Sequence, residues 1–356
     1  MSLSKPCIIL VLILFSVLSH LDSAVHGQEV PGRGDFRIMF YNVENFFDNE
    51  NDSLTLDDEF LPDGARHWTN YKYKKKLNNI YKVIVAVGGW EPPEIVGLCE
   101  VENESVLEDL VNKTPLAKYE YKIIHKESPD QRGIDVALLY RKNKFNILQT
   151  SFIPIIRGNI SLNTRDILFV KGVTGTKDTL NIFVNHWASR YSGKIESAKK
   201  RNFIAAVLRQ RIDSIFAMDM HANIIIMGDF NDEPLDESVL RILDTKTDLS
   251  EIIPGSLYNL SYVFRNDKKI GSIKYKGTWL MFDQFIVSAS LLQRDNQLYL
   301  ESASIHLFSP DFLLEEDKTY YGFKPYRTYY GYRYQGGFSD HLPVYIDLRR
   351  TRKIIK

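Results

Sequence analysis

Short apolar runs that stop abruptly at polar residues set the pattern of this chain. The clearest is Ile224-Ile225-Ile226-Met227, followed by Gly228-Asp229-Phe230-Asn231-Asp232-Glu233-Pro234. Four apolar residues in a row predict a strand buried on both faces, and the Gly, Asn, Asp and Pro that follow predict a turn. Residues 36–42 put Phe36, Ile38 and Phe40 on one face of another strand, which ends in Asn42-Val43-Glu44-Asn45. Ile95–Cys99 is a second buried strand with Glu100 at its end, and Leu180–Val184 runs into Asn185-His186-Trp187-Ala188-Ser189-Arg190. Residues 278–287 read as one strand with an acid, Asp283, inside it, and a charge there needs a partner. Residues 121–125, 134–140 and 167–170 read as further strands, with a turn at Pro129–Gly133 and Thr164-Arg165-Asp166 leading into the last of them.

Helical spacing appears three times. Leu77, Ile80, Ile84 and Val87 mark one helix, Val106–Val111 a short second, and Ile204, Leu208, Ile212 and Ile215 a long third from about Glu196 to Met218. Lys72 and Lys74–Lys76 open the first helix and read as a solvated face. Residues 48–68 read as an exposed acidic loop, and Asp57-Asp58-Glu59 lacks the glycine and spacing of a calcium loop. Helices and strands alternate irregularly, with no repeat and no dividing linker, which predicts a layered α/β or α+β domain over residues 28–356. The basic tail, residues 349–356, reads as a frayed end.

Composition narrows the partners. Net charge is zero, so any anion site must be local rather than a global positive field. Residues 1–27 resemble a secretory leader: Lys5, an apolar run from Ile8 to Leu18 too short to span a bilayer, and small residues before Gln28. This predicts an extracytoplasmic protein, periplasmic or secreted, with no stable membrane anchor after cleavage. Cys99 is then the one cysteine left, and its apolar neighbours predict a small buried residue.

The chemistry collects at strand ends, where open α/β sheets place their functional groups. Taken singly, Asn42, Glu44, Glu100, Asp229 and Asn231 are also what turns and helix caps use. Glu100 suits either a helix cap or a cation. His186 stands beside Asn185, and Arg190 offers a planar fork suited to phosphate. Asp340-His341 introduces the last strand as a candidate acid–base pair. Lys324–Tyr334 interleaves Arg327 and Arg333 with five tyrosines, a pattern suited to stacking bases or to packing on the body.

Together Asn42-Val43-Glu44, Leu98-Cys99-Glu100, Asn185-His186, Gly228-Asp229-Phe230-Asn231-Asp232, Phe282-Asp283 and Ser339-Asp340-His341-Leu342-Pro343 resemble the endonuclease/exonuclease/phosphatase superfamily, six motifs in order over residues 36–348. Asn-His-Trp-x-Ser-Arg at 185–190 looks like its exported bacterial nuclease-like branch. The resemblance implies a four-layer sandwich, two mixed β-sheets face to face with helices outside. It implies a divalent metal, magnesium or manganese with calcium as the alternative, on Glu100, with Asn42, Glu44 and Asp340 nearby. It makes Asp229, His341, Asp283 and His186 catalytic. Asn231, Asn185, Arg190 and Arg327 are the candidate substrate contacts. Cys99 departs from the usual Gln before the metal-binding Glu. The implied function is hydrolysis of a phosphoester, a phosphodiester of nucleic acid first. A phosphatase or phosphodiesterase acting on phospholipid, inositol phosphate or nucleotide is the alternative, and a silent phosphate-binding module the second alternative.

Overall fold

A computed structural model describes residues 33–191, 193–294 and 297–351. Residues 1–32, which include the leader expected over 1–27, and residues 352–356 lie outside the described residues. Among the described residues no helix is long and apolar enough to cross a membrane.

Two mixed sheets carry the fold. The first has six strands, in spatial order Leu298–Leu307, Val344–Arg350, Phe36–Phe46, Ile95–Val101, Asp135–Arg141 and Tyr121–Ile124. The second has seven, in order Thr245–Lys246, Leu257–Asn259, Asp283–Ser288, Ile224–Asp229, Thr179–His186, Ile167–Thr174 and Phe145–Ile153. Among the described residues three α-helices complete the layers: α1 (Asn70–Gly88), α2 (Glu104–Asn112) and α3 (Lys194–Met218).

The alternation of side chains along each strand builds the layers. In strand 36–46, Phe36, Ile38 and Phe40 face the second sheet, whereas Met39, Tyr41 and Val43 face α1 and α2. In strand 224–229, Ile225 and Met227 join the core between the sheets, and Ile224 and Ile226 pack under α3. The run that reads as buried on both faces is buried on both faces. The result is helix, sheet, sheet, helix, the sandwich that the resemblance implies.

Local chemistry follows the sequence in most places. Asn103, not Glu100, caps α2, accepting from Val106 N–H at 3.0 Å, which leaves the Glu100 carboxylate free of that duty. Cys99 is fully buried. Four expectations need correction. The tail is not frayed from 349: Arg349 and Arg350 pair with Tyr299 and Leu298, and Thr351 N–H donates to Gln297 C=O at 2.9 Å. Residues 278–287 are two strands, Thr278–Leu280 in a hairpin and Asp283–Ser288 in the second sheet, and at the break the N–H groups of Phe282 and Asp283 turn to Ser272 Oγ at 3.1 and 3.0 Å. The 48–68 loop is not wholly exposed: Asp57, Phe60 and Trp68 are buried, and Trp68 Nε1–H donates to Phe47 C=O at 3.0 Å. Lys76 is not on a solvated face. It is buried, and its Nζ donates to Thr328 Oγ1 at 2.6 Å and to Phe338 C=O at 2.7 Å.

Candidate active site

Sheet register assembles the site. Asp229 ends its strand, and the ladder sets it opposite His186, the last residue of the parallel neighbour, and opposite Asp283, the first residue of the antiparallel neighbour. Gly228 permits this pairing: a Cβ there would meet Asn185 C=O at 2.4 Å. From the first sheet come Asn42 and Glu100. Asn42 pairs with Cys99, and the ladder then slips, so Glu100 is the extra residue of a β-bulge. The bulge aims its carboxylate out of the sheet toward the second one.

The backbone is held in rare conformations here. Glu44 (φ +51°), Asn45 (+56°), Glu100 (+62°) and Asn231 (+49°) all lie in the left-handed region. Such residues cost about 1–3 kcal/mol each and persist where the surroundings fix them, characteristically at functional sites.

Asp229 is the centre of the cluster. Its Oδ1 accepts from Asn231 N–H at 2.9 Å and its Oδ2 from Asn42 Nδ2 at 3.1 Å. Two imidazoles face it without bonding it: His186 Nε2 at 3.7 Å and His341 Nε2 at 3.9 Å. Burial pushes the Asp229 carboxyl up to about 7, with His341 pulling the other way and Asp283 adding to the rise. The two histidines are set apart. Burial, Arg165 and Arg132 hold His186 well below its ordinary value, so it is neutral. Burial also opposes charge on His341, but Asp283 and Asp229 outweigh it and hold the imidazolium well above its ordinary range. Asp283 Oδ2 binds His341 Nδ1 at 2.6 Å, which fixes the ring and leaves Nε2 toward Asp229.

Glu100 has room for a cation. Its Oε2 accepts from Asn45 N–H at 3.0 Å, whereas Oε1 has only long approaches from Asn42 Nδ2 at 3.5 Å and His186 Nε2 at 3.9 Å. No lysine or arginine among the described residues ion-pairs with it. A carboxylate oxygen with no cationic partner among the described residues fits a hard divalent ion, and the neighbouring Asn42 presents its Nδ2 there, its Oδ1 accepting from Glu44 N–H at 3.0 Å. Glu44 and Asp340 are engaged instead with Arg327, at 3.1 and 2.9 Å, and Glu44 Oε2 also accepts from Thr328 N–H at 2.7 Å. Arg327 therefore sits at the site, salt-bridged to two of the residues implied as metal neighbours.

Other candidates turn inward. Arg190 donates to Asn231 C=O at 2.7 Å, Asp232 at 2.8 Å and Asp236 at 2.6 Å, and lies over the Phe282 ring at 4.6 Å. It fastens the loop that carries Asn231. Asn185 is fully buried, with Nδ2 on Met227 C=O and Oδ1 on Trp187 Nε1. The Asn231 side chain donates to Trp187 C=O at 3.1 Å. Tyr329 is buried against Trp68, with its hydroxyl on Arg66 C=O, while Tyr330, Tyr332 and Arg333 are exposed. A cavity of about 150 Å³ opens beside the site, lined by Glu44, Asn45, Phe60, Arg66, Arg327 and Tyr329 among others.

Sequence reasoning missed Lys76 and Asn79 of α1. Lys76 supports Thr328 and Phe338, and Asn79 Nδ2 donates to Gly337 C=O at 2.6 Å. The segment leading into Ser339-Asp340-His341 is thus tied to a helix. Burial lowers Lys76 to about 8, against the pull of Glu44 and Asp340. The available signal was spacing: Lys76 precedes Ile80 and Ile84 at intervals of four, on the buried stripe.

Structural comparison places this arrangement among known folds. The chain is similar to D. rerio TDP2 complexed with a single-strand DNA product (14% identity, TM-score 0.54, 88% of this chain and 98% of that one). It is similar to the human Nocturnin catalytic domain with bound sulfate (17%, 0.53, 89% and 94%) and to a Bacteroides thetaiotaomicron mannosyl-6-phosphatase (16%, 0.54, 88% and 99%). No curated protein sequence matches. At these identities the structures establish the fold, and the sequence pattern of the Endonuclease/Exonuclease/phosphatase family matches residues 37–350. With the sandwich and the strand-end cluster in place, the chain belongs to the endonuclease/exonuclease/phosphatase family.

Proposed function

We propose that this cleft hydrolyses phosphoesters with one divalent cation of the magnesium or manganese class, calcium being the alternative. Glu100 would hold the cation, which when bound supplies positive charge against the phosphoryl oxygens, whereas Asn42 turns its Nδ2 to Asp229 and its Oδ1 to Glu44 N–H and so orients the carboxylates instead of ligating. Asp229, poised at about 7, accepts the proton of the attacking water. Asn42 and the Asn231 backbone fix that carboxylate's orientation. The His341 imidazolium, oriented by Asp283, donates to a phosphoryl oxygen or to the leaving oxygen. Neutral His186 stands between Glu100 and Asp229 and donates no net charge. The observation that carries the reading is this opposition: a raised carboxyl facing a charged imidazolium, with Glu100 open beside them.

For the substrate, the paired arginines matter. Arg190 and Arg327 are both salt-bridged within the chain, and Tyr329 is packed in the core, so a long track for a nucleic-acid backbone is not what supports the reading. A cavity of about 150 Å³ on the Glu44 and Arg327 side, which Asp229 and His341 do not line, has room for a compact leaving group. A nucleic-acid diester is the second reading, favoured by exposed Tyr330 and Tyr332 on the rim. Export through residues 1–27 belongs to the same proposal and rests on the leader pattern. Turnover of a panel of sugar phosphates, nucleotides, inositol phosphates, phospholipids and oligonucleotides, with product analysis, tests it. Preference for compact monoesters or diesters supports the first reading, and an oligonucleotide preference supports the second. No hydrolysis of any class with magnesium or manganese would overturn both.

A further inference from the structure

A second cluster of donor atoms lies in the turn joining strands 121–124 and 135–141. The side chains of His125 and Asp135 are each only 2% exposed, and His125 Nε2 lies 3.3 Å from Asp135 Oδ2. Neither atom makes a hydrogen bond. Asp135 Oδ1 is already used, accepting from Ser128 N–H at 2.9 Å. A carboxylate oxygen of Glu127 completes the group, the three ligand atoms lying within 4.8 Å of one another. Glu127 is on the exposed side, so the cluster is reachable from solvent.

The surroundings make this arrangement costly as it stands. Among the described residues no lysine or arginine ion-pairs with Glu127 or Asp135: Lys126 turns to Asp166 at 3.6 Å, and Arg132 to Asp130 at 3.4 Å. Burial, with Asp135 adding to it, raises the Glu127 carboxyl to about 7, and His125 pulls the other way. Asp57 Oδ1 and Ser128 Oγ are also buried without partners. Buried polar atoms are nearly always bonded, and unpaired buried charge is strongly unfavourable. His125 Nε2 and Asp135 Oδ2, buried without a hydrogen bond and within 4.8 Å of a Glu127 carboxylate oxygen, mark a place for a positive ion. An imidazole nitrogen with two carboxylates suits a transition cation better than calcium or magnesium, which take oxygen donors.

We propose that His125 Nε2, Asp135 Oδ2 and the Glu127 carboxylate bind a divalent cation of the zinc class at a structural site that does not use Glu100. The cation would brace the 125–135 loop. That loop holds two neighbours: Gln131 C=O accepts from Leu56 N–H at 2.8 Å, and Asp130 binds Arg165 at 2.8 Å. Arg165 in turn donates to His186 C=O at 3.2 Å. The site thus steadies the acidic 52–57 loop and the backbone under His186 without touching substrate.

The test strips purified protein with EDTA and titrates it with zinc alone by calorimetry, alongside thermal unfolding. Glu100→Ala is expected to keep one saturable equivalent and to gain several degrees of melting temperature with zinc. His125→Ala should lose that equivalent and that shift. Glu127→Gln, at an exposed position that leaves the core intact, should weaken zinc by about tenfold or more. Zinc binding that disappears in Glu100→Ala, or that survives unchanged in His125→Ala or Glu127→Gln, overturns the proposal. Loss of phosphoester turnover bears on the catalytic cleft alone and leaves this outcome untouched.

Discussion

Glu44 and Asp340 on one side of the cleft share a guanidinium, whereas Asp229 on the other side has none. Arg327 reaches Glu44 at 3.1 Å and Asp340 at 2.9 Å, and buried Lys76 stands behind them. Asp229 has an amide, one backbone N–H and two histidines at 3.7 and 3.9 Å. The paired side behaves as scaffolding: Arg327 and His341 outweigh burial and hold the Asp340 carboxyl below its ordinary value, while burial and Asp340 raise Glu44 against the pull of the same guanidinium. On the other side Asp229 is pushed up to about 7, inside the range where a proton moves readily. One cleft thus separates charge that holds the backbone from charge that can do chemistry. Burial raises both Glu44 and Asp229, and what sets them apart is that Glu44 alone of the two has a permanent cation in contact.

Substitutions on the poised side should act on turnover. Asp229→Asn keeps the shape and removes the base, and kcat on a small chromogenic diester should fall by about 10²–10⁴ with KM little changed. A loss confined to KM would move Asp229 into binding. Asp283→Asn should cost less, about 10², and should shift the pH profile as His341 loses the partner that holds its proton. An unchanged profile would leave Asp283 a packing residue.

On the paired side the expected loss is stability. Arg327→Met leaves Glu44 and Asp340 facing each other. Because the arginine side chain is 35% exposed, the cost is discounted for screening to about 1–3 kcal/mol in urea unfolding. Adding Glu44→Gln should recover part of it. A stable Arg327→Met protein with abolished turnover would instead make the arginine a substrate contact.

The pH dependence of stability sharpens the contrast further. His341 is raised, so its contribution is complete below its unfolded value near 6.5 and is lost as pH climbs toward the folded value. Asp229 is also raised, so the folded state binds the extra proton between about 4 and 7, and stability declines across that window. His186 is lowered and opposes this below 6.5, where the folded state keeps it neutral. Metal-free protein should therefore lose stability between about pH 6.5 and 8, and His341→Gln should flatten the decline. A flat wild-type profile there would refute the assigned protonation states.

The smallest effect is expected at the rim. Tyr332→Ala should leave turnover of a small diester within about twofold, and it affects an oligonucleotide only if bases stack there.

Much of this was readable from the chain. Asp229, His186 and Glu100 stood out because a buried run ends at each, and the sheet register then brings those ends together. The α3 stripe was readable from four apolar residues at helical spacing. Other features depended on contacts that sequence order does not encode. Arg190 looked like a phosphate fork, yet Asp232 and Asp236, some forty positions away, claim it. The lysine run 74–76 hid the fact that only its last member lies on the buried stripe. The break at Met281-Phe282 goes with two backbone hydrogen bonds to Ser272 Oγ, which no local pattern announces. His125, Glu127 and Asp135 converge through a turn whose residues look like ordinary loop polarity.

The central claim is that Glu100 brings a cation to a cleft whose proton transfers belong to Asp229 and His341. EDTA-stripped protein, assayed on bis-nitrophenyl phosphate as manganese is added, tests it most directly, with Glu100→Ala beside it and binding followed by calorimetry. The account predicts no turnover without metal, saturable recovery in the wild type, and loss of both recovery and one equivalent of manganese in Glu100→Ala. Full activity in EDTA, or a Glu100→Ala protein that recovers like the wild type, would contradict it.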